Sequence, residues 1–144
     1  MLLGEYEHTV DDKNRLTLPA RFRDAFREGA VVTRGMDGCL AVYPRAGWEQ
    51  LAESTFVDLD PLSREGRALT RYFYSAATEA EPDRQGRILI PPRLAEYAQL
   101  GRDVVVAGVR DRLEIWDRDT WRRQRDEIEG SAEHVAERLA GRRT

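Results

Sequence analysis

Cysteine and histidine are scarce in this chain of 144 residues, which has one cysteine, Cys39, and two histidines, His8 and His134. A single cysteine cannot form an internal disulfide, and neither histidine lies near it at the spacing of a metal site. We therefore expect no disulfide, no metal and no cofactor.

Long apolar runs are absent as well. The opening MLLGEYEH has neither the basic start nor the apolar stretch of a secretion signal. No segment approaches the roughly 18 apolar residues of a membrane span. We therefore expect a cytoplasmic protein without a membrane partner, and the length suits one domain of ordinary size.

The chain also lacks the net positive charge that is common among nucleic-acid binders, because its formal net charge is −3. Two short stretches nevertheless carry more bases than acids. Residues 10–23 have four bases and two acids, and residues 83–93 have three bases and one acid. This distribution keeps DNA binding open, because local charge matters more than the sum.

Both basic stretches carry the same motif, an Asp and an Arg four residues apart that are followed by apolar, any, apolar, Pro, any, Arg. The copies read VDDKNRLTLPARF at residues 10–22 and AEPDRQGRILIPPRL at residues 80–94, with an offset of 72. Chance rarely repeats so many positions in one register. The chain therefore contains an internal duplication.

The three residues between each Asp and Arg predict the tip of a β-hairpin. Asn14 and Gly86 occupy the last place of their loops, and both residue types readily adopt the positive φ that such a loop requires. Asp and Arg then flank the loop closely enough for an ion pair. The apolar residues that follow point inward, and a proline ends each strand before a helix: Leu16, Leu18, Pro19, Ile88, Ile90 and Pro91.

In each half, the sequence predicts the order strand, hairpin, strand, helix, strand, turn, strand, helix. The offset between corresponding residues of the two halves rises from 72 to 73 late in the second half. A half alone would have a marginal core, so we expect both copies to share one core as a pseudo-twofold unit. The predicted parts are a first repeat at residues 1–50, a helical connector at 51–76, a second repeat at 77–122 and a helical tail at 123–144.

In the connector, a helix is expected after Asp60-Pro61, with Leu62 on its apolar side together with Leu69. The successive aromatic residues 72–74 either belong to the core or meet another subunit. The tail helix is expected to be interrupted at residues 130–131 and to fray at Arg142 and Arg143.

With both DxxxR motifs and their LTLPARF and ILIPPRL continuations, the sequence closely resembles the MraZ family, bacterial transcriptional regulators associated with the division and cell-wall gene cluster. The resemblance implies an α+β, mainly β fold: duplicated swapped-hairpin half-barrels, like those of AbrB-type regulators, forming one pseudo-twofold barrel with flanking helices. It also implies a ring-shaped homo-oligomer that binds tandem short repeats in promoter DNA, usually as a nucleoid-associated repressor.

An Arg at a hairpin tip can enter the major groove and pair with guanine O6 and N7. We expect Arg15 and Arg87 to face the groove. Asp11 and Asp83 would orient them, because a carboxylate near phosphate is repelled. Phosphates would mainly be contacted by the flanking bases: Lys13, Arg84, Arg21 and Arg93. For Arg21 and Arg93, a simple surface role is equally open.

Three alternatives remain. Each Asp–Arg pair could only pin its hairpin, although an exposed pair contributes about 0–1 kcal/mol. The two Asp could share a proton as in aspartic proteases, although a nearby Arg keeps each ionised, and we expect no enzyme. A ring-forming scaffold that binds protein would keep the fold without binding DNA.

Overall fold

Pairs of strands alternate with helices in the computed structural model, which describes residues 1–142. Fraying was predicted for Arg143, which lies outside the described residues, as does Thr144. The strands are β1 Leu2–Thr9, β2 Arg15–Thr17, β3 Ala30–Arg34, β4 Leu40–Pro44, β5 Thr78–Ala80, β6 Arg87–Leu89, β7 Asp103–Arg110 and β8 Leu113–Asp117. The α-helices are α1 Arg45–Ser54, α2 Arg64–Tyr74, α3 Pro92–Tyr97 and α4 Arg118–Gly141. Two 3₁₀ helices cover Ala20–Phe26 and Phe56–Asp58.

The strands form a six-stranded antiparallel sheet in the order β1-β7-β8-β4-β3-β5 and a separate antiparallel pair, β2-β6. The first strand of each half pairs with the third strand of the other half, β1 with β7 and β5 with β3. The halves are therefore interleaved. The expected α+β, mainly β class is confirmed, and the strands are antiparallel.

The strand registers define a pseudo-twofold axis. In β2-β6, Leu16 lies opposite Ile88, and these positions correspond in the repeat at the offset of 72. In β4-β8, Ala41 lies opposite Glu114, which correspond at the offset of 73. Residues that pair with their own counterparts lie on a twofold axis, so both centres mark that axis.

One apolar core lies between the two sheets and draws on both halves. The inward-pointing residues of the repeated motif are buried as predicted: Leu16, Leu18, Ile88 and Ile90. They pack in the same cluster as Phe26, Val42 and Ile115. Because neither half encloses these side chains alone, the core ties the two copies into one folding unit.

The connector differs from the prediction at its start. The Leu62 amide donates to Asp60 Oδ1 at 2.9 Å, so residues 60–62 form a turn and not helix. The α2 helix begins at Arg64, where the Ser63 side chain accepts from the Gly66 amide at 2.9 Å. Leu62 is consequently 88% exposed, and its predicted place on the apolar side of the helix is wrong.

The aromatic residues of α2 mostly pack inward. The Tyr72 hydroxyl donates to the Gly35 carbonyl at 3.0 Å and also contacts the Tyr97 hydroxyl of the second half. Phe73 stacks on Phe56 with ring centroids 5.0 Å apart. Tyr74 stays 41% exposed, so the core interpretation applies to the first two residues of the run.

The predicted interruption of the tail helix at residues 130–131 is wrong. The α4 helix is continuous over 24 residues and begins at Arg118, where the Asp117 side chain accepts from the Thr120 amide. Ser131 satisfies its hydroxyl within the helix by donating to the Glu127 carbonyl at 2.8 Å. One glycine costs about 1 kcal/mol, which does not break a helix of this length.

Removing the side chain at the pseudo-twofold axis tests the shared core. We expect Leu16→Ala to lower the free energy of unfolding by about 2–5 kcal/mol, because it leaves a cavity beside Ile88. Leu89→Ala on the same strand pair removes a side chain that is 55% exposed and should cost below about 1 kcal/mol. Chemical denaturation measures both values, and equal losses would contradict a core centred on Leu16.

Candidate nucleic-acid interface

The first tip, residues 11–15, is organised by the Asp11 carboxylate. Its Oδ1 accepts from the amides of Lys13 at 2.9 Å and Arg15 at 2.8 Å. Its Oδ2 accepts from Arg15 Nε at 2.8 Å. Asn14 has a φ of 60°, which lets the chain turn back so that the Asp11 amide donates to the Arg15 carbonyl at 3.0 Å. The predicted ion pair and the predicted left-handed residue are both confirmed.

The second tip, residues 83–87, repeats this arrangement. Asp83 Oδ1 accepts from the amides of Gln85 and Arg87, both at 2.9 Å, and Oδ2 accepts from Arg87 Nε at 2.7 Å. Gly86 has a φ of 76°. The corresponding distances in the two tips differ by at most 0.1 Å. The duplication therefore preserves the geometry of the tip as well as its sequence.

The two tips lie at opposite ends of the short antiparallel β2-β6 pair, in which Arg15 is opposite Leu89 and Arg87 is opposite Thr17. Each is followed directly by a strand of the β2-β6 pair, and two further hydrogen bonds cross between the halves. The Leu18 amide donates to the Gly86 carbonyl at 2.8 Å, and the Ile90 amide donates to the Asn14 carbonyl at 2.7 Å. We call residues 11–15 and 83–87 together the twin-tip surface.

Each tip arginine keeps its outer edge available. The contacts of Arg15 and Arg87 within residues 1–142 use Nε alone, so neither Nη1 nor Nη2 has a protein partner there. The two side chains are 32% and 27% exposed. Because Asp fixes the plane of each guanidinium group, the outer nitrogens form an oriented double donor for an acceptor from outside.

The carboxylates at the tips stay ionised. The pKa of Asp11 is lowered mainly by the hydrogen bond from the Arg15 amide, and the pKa of Asp83 mainly by the hydrogen bond from the Arg87 amide. Carboxyls that share a proton would instead raise the pKa of one of them. This electrostatic environment disfavours the aspartic-protease alternative.

The other predicted cations lie in the tips or in the helices that follow β2 and β6. Lys13 and Arg84 are exposed in the loops themselves. Arg21 is exposed in the first 3₁₀ helix and donates through Nη1 to the Tyr6 hydroxyl at 3.1 Å, a partner that the sequence did not indicate. Arg93 is exposed in the first turn of α3. Geometry leaves all four side chains accessible to a ligand.

Sequence reasoning did not assign Arg23 to the site. This side chain leaves the 3₁₀ helix and donates through Nε to the Leu18 carbonyl at 3.2 Å. Its counterpart in the repeat is Ala95. The only signal in the sequence was its contribution to the local positive charge, because the second copy of the motif has no cation at this position.

Other chemistries find little support in the part of the chain that the structure describes. Residues 1–142 contain no cluster of three His, Cys, Asp or Glu side chains that could hold a metal ion. In the same range, no helix is both long enough and apolar enough to cross a bilayer. Burial raises the pKa of the Cys39 thiol, which makes it a poor nucleophile.

Comparison with known proteins agrees with the repeated motif. A family model described as "MraZ protein, putative antitoxin-like" matches residues 1–68 and 73–143, one stretch for each half. The chain belongs to the MraZ family. The transcriptional regulator MraZ of Moorella thermoacetica is 48% identical over 139 residues, covering 96% of both chains. The protein of that name from Roseiflexus castenholzii is 49% identical over 141 residues, covering 97% of both.

The lowered pKa of the tip carboxyls can be measured by carboxyl-detected NMR titration. We expect Asp11 and Asp83 to titrate below the ordinary value of 3.8. The stabilisation of the tips by the ionised carboxylates is then present above the unfolded-state pKa and is lost as the pH falls through the folded-state pKa. Asp11→Asn and Asp83→Asn identify the two signals. Midpoints at or above 3.8 would contradict the observed hydrogen bonding.

Proposed function

We propose that this MraZ-family protein is a transcriptional regulator that binds double-stranded DNA through the twin-tip surface and is not an enzyme. The observation that carries the proposal is the pair of tips at the two ends of β2-β6, each with an arginine whose outer nitrogens have no partner within residues 1–142. Relatives with nearly half of their residues identical over almost the full length bear the name transcriptional regulator.

In the proposed complex, Arg15 and Arg87 enter the major groove. Each offers two coplanar donors that match O6 and N7 of guanine, a pairing that contributes about 1–3 kcal/mol of discrimination. Asp11 and Asp83 position the guanidinium groups before DNA arrives, which lowers the entropy lost on binding. The Asp residues therefore act on the arginines and do not themselves contact DNA.

The flanking cations supply contacts to the backbone of the duplex. Phosphate contacts fix the register of a protein on DNA without reading bases. We assign this role to exposed side chains of the tips and of the helices that follow β2 and β6: Lys13, Arg84, Arg21 and Arg93. For Arg21, the hydrogen bond to Tyr6 uses Nη1 and leaves the rest of the guanidinium group accessible.

The interleaved strands support an architecture of two swapped-hairpin half-barrels of the AbrB type that form one pseudo-twofold barrel. The pairing of β1 with β7 and of β5 with β3 is the exchange that such an arrangement requires. The proposed parts are repeats at residues 1–50 and 77–122, a helical connector at 51–76 and a helical tail at 123–144.

One chain offers few cations at the tips and has a net charge of −3, so a single twin-tip surface would bind weakly. We propose a ring-shaped homo-oligomer that engages tandem short repeats, because linked sites raise the overall affinity without any new contact. The target would be the promoter of the division and cell-wall gene cluster. The protein would act as a repressor in the cytoplasm, associated with the nucleoid.

A protein-binding scaffold is the second candidate. The observation that favours it is the far part of α4, where Ile128 is 48% exposed and Leu139 is 53% exposed. Exposed apolar side chains at helical spacing are typical of contacts with protein. DNA binding separates the two candidates, because a scaffold would not bind the region upstream of its own gene.

Substitution of both tip arginines tests the proposed site. We expect Arg15→Ala combined with Arg87→Ala to weaken binding to the protein's own upstream region by at least about tenfold, since each lost bidentate pair contributes about 1–3 kcal/mol. Fluorescence anisotropy with labelled duplex measures the dissociation constant.

The matched control is Arg64→Ala combined with Arg138→Ala, which removes the same charge from exposed positions on α2 and α4. It should change the affinity by less than about twofold. Unchanged binding by the tip variant would refute the assigned site, and absence of binding by the natural protein would favour the scaffold.

The ring predicts a dependence on the number of DNA repeats. Light scattering after size-exclusion chromatography should give a mass that is a multiple of 16.5 kDa. A duplex with several repeats should bind at least about tenfold more tightly than a duplex with one, as expected for linked sites. A monomeric mass, or equal affinity for both duplexes, would contradict the assembly.

A further inference from the structure

Arg23 connects the first half to the second tip. Its Nε donates to the Leu18 carbonyl at 3.2 Å, and the Leu18 amide in turn donates to the Gly86 carbonyl at 2.8 Å. A Cβ atom added to Gly86 would lie 2.5 Å from Arg23 Nε and 2.9 Å from its Cζ. The guanidinium group therefore lies directly against the backbone of the second tip.

The same place beside the first tip has a different pair of residues. The repeat relates Arg23 to Ala95 and Gly86 to Asn14. Both tips need a residue that tolerates positive φ. In the second tip this residue is glycine, and the large side chain of Arg23 covers it. The first tip has asparagine, and the covering position holds alanine. The second tip thus combines a small tip residue with a large covering residue, and the first tip combines a larger tip residue with a small residue at the covering position.

The charge of Arg23 is not neutralised by a neighbour. Its hydrogen bond uses only Nε, and within residues 1–142 it forms no ion pair. The adjacent Asp24 pairs with Arg27, at 2.6 Å. The positive charge of Arg23 also reaches His8, where it adds to burial in lowering the pKa of that imidazole. Arg23 is exposed and offers both outer nitrogens to a ligand.

The two tips differ in net charge. The first tip has two cations, Lys13 and Arg15, and two acids at positions 11 and 12. The second tip has two cations of its own, Arg84 and Arg87, and a third from Arg23, against Asp83 alone. The positive potential of the twin-tip surface is therefore concentrated at the second tip.

We propose that Arg23 is a further DNA-binding residue, which donates from its outer nitrogens to a phosphate beside the second tip and makes that tip the electrostatic anchor of the surface. The inference rests on the proposed function and extends it. The first tip has no equivalent contact, since Ala95 carries no donor. The two halves therefore bind the duplex with unequal strength despite their equal tip geometry.

The salt dependence of DNA binding tests this role. Arg23→Met keeps the long stem over Gly86 and removes the charge, and Arg23→Lys keeps the charge. With Arg23→Met, the negative slope of log affinity against log salt should become less steep by about 0.9 for each bound chain. Raising the salt from 0.1 M to 1 M should therefore weaken the binding of the natural protein about eightfold more than that of the variant for each bound chain. Arg23→Lys should retain the slope of the natural protein.

Transferring the pair formed by Gly86 and Arg23 to the first tip should strengthen DNA binding. Asn14→Gly combined with Ala95→Arg recreates the pair of the second tip at the first and should make the negative slope steeper by about 0.9. Ala95→Arg alone, with Asn14 in place, is the matched control for crowding, and thermal unfolding checks each variant. If the transplant does not fold, Arg23→Met decides the matter by itself.

The outcomes separate this inference from the proposed function. If the natural protein does not bind its upstream DNA, the proposed function fails, and the inference fails with it. If the natural protein binds and loses binding with Arg15→Ala and Arg87→Ala, the function stands. An unchanged salt slope for a folded Arg23→Met variant then overturns only the role of Arg23.

Discussion

The pairing of β2 with β6 is the interaction on which the rest of the structure depends. These strands have three residues each, and their central side chains, Leu16 and Ile88, are buried on the pseudo-twofold axis. Because each strand directly follows its tip and the strands are antiparallel, this pairing places one tip at each end of the pair, on either side of the pseudo-twofold axis. A few buried residues thus determine the spacing of the whole twin-tip surface.

In the proposed complex, the ion pairs at the tips contribute to binding more than to stability. An exposed Asp–Arg pair adds about 0–1 kcal/mol to folding, which explains poorly why two copies keep the same geometry to within 0.1 Å. Each carboxylate also accepts two backbone amides, so it fixes the loop and the guanidinium group together. In the proposed complex, this rigidity presents both arginines ready to bind bases.

Local features were predictable from the sequence, and partners across the fold were not. The positive φ at Asn14 and Gly86 followed from residue type. Alternation of apolar residues predicts a strand but not its neighbour, so the residues themselves do not reveal that β1 pairs with β7. The helix break at residues 130–131 was wrong because a long helix tolerates one glycine. Arg23 was missed because it contacts the other half and lacks a counterpart in the repeat.

Hydrogen–deuterium exchange of the full assembly, with and without the protein's own upstream DNA, tests the central claim that both tips bind one duplex as a single surface. We predict slower exchange in the peptides that cover residues 11–15 and 83–87, at the same DNA concentration, with no change in the part of α4 beyond residue 126. Protection of one tip alone, or of neither, would contradict the account.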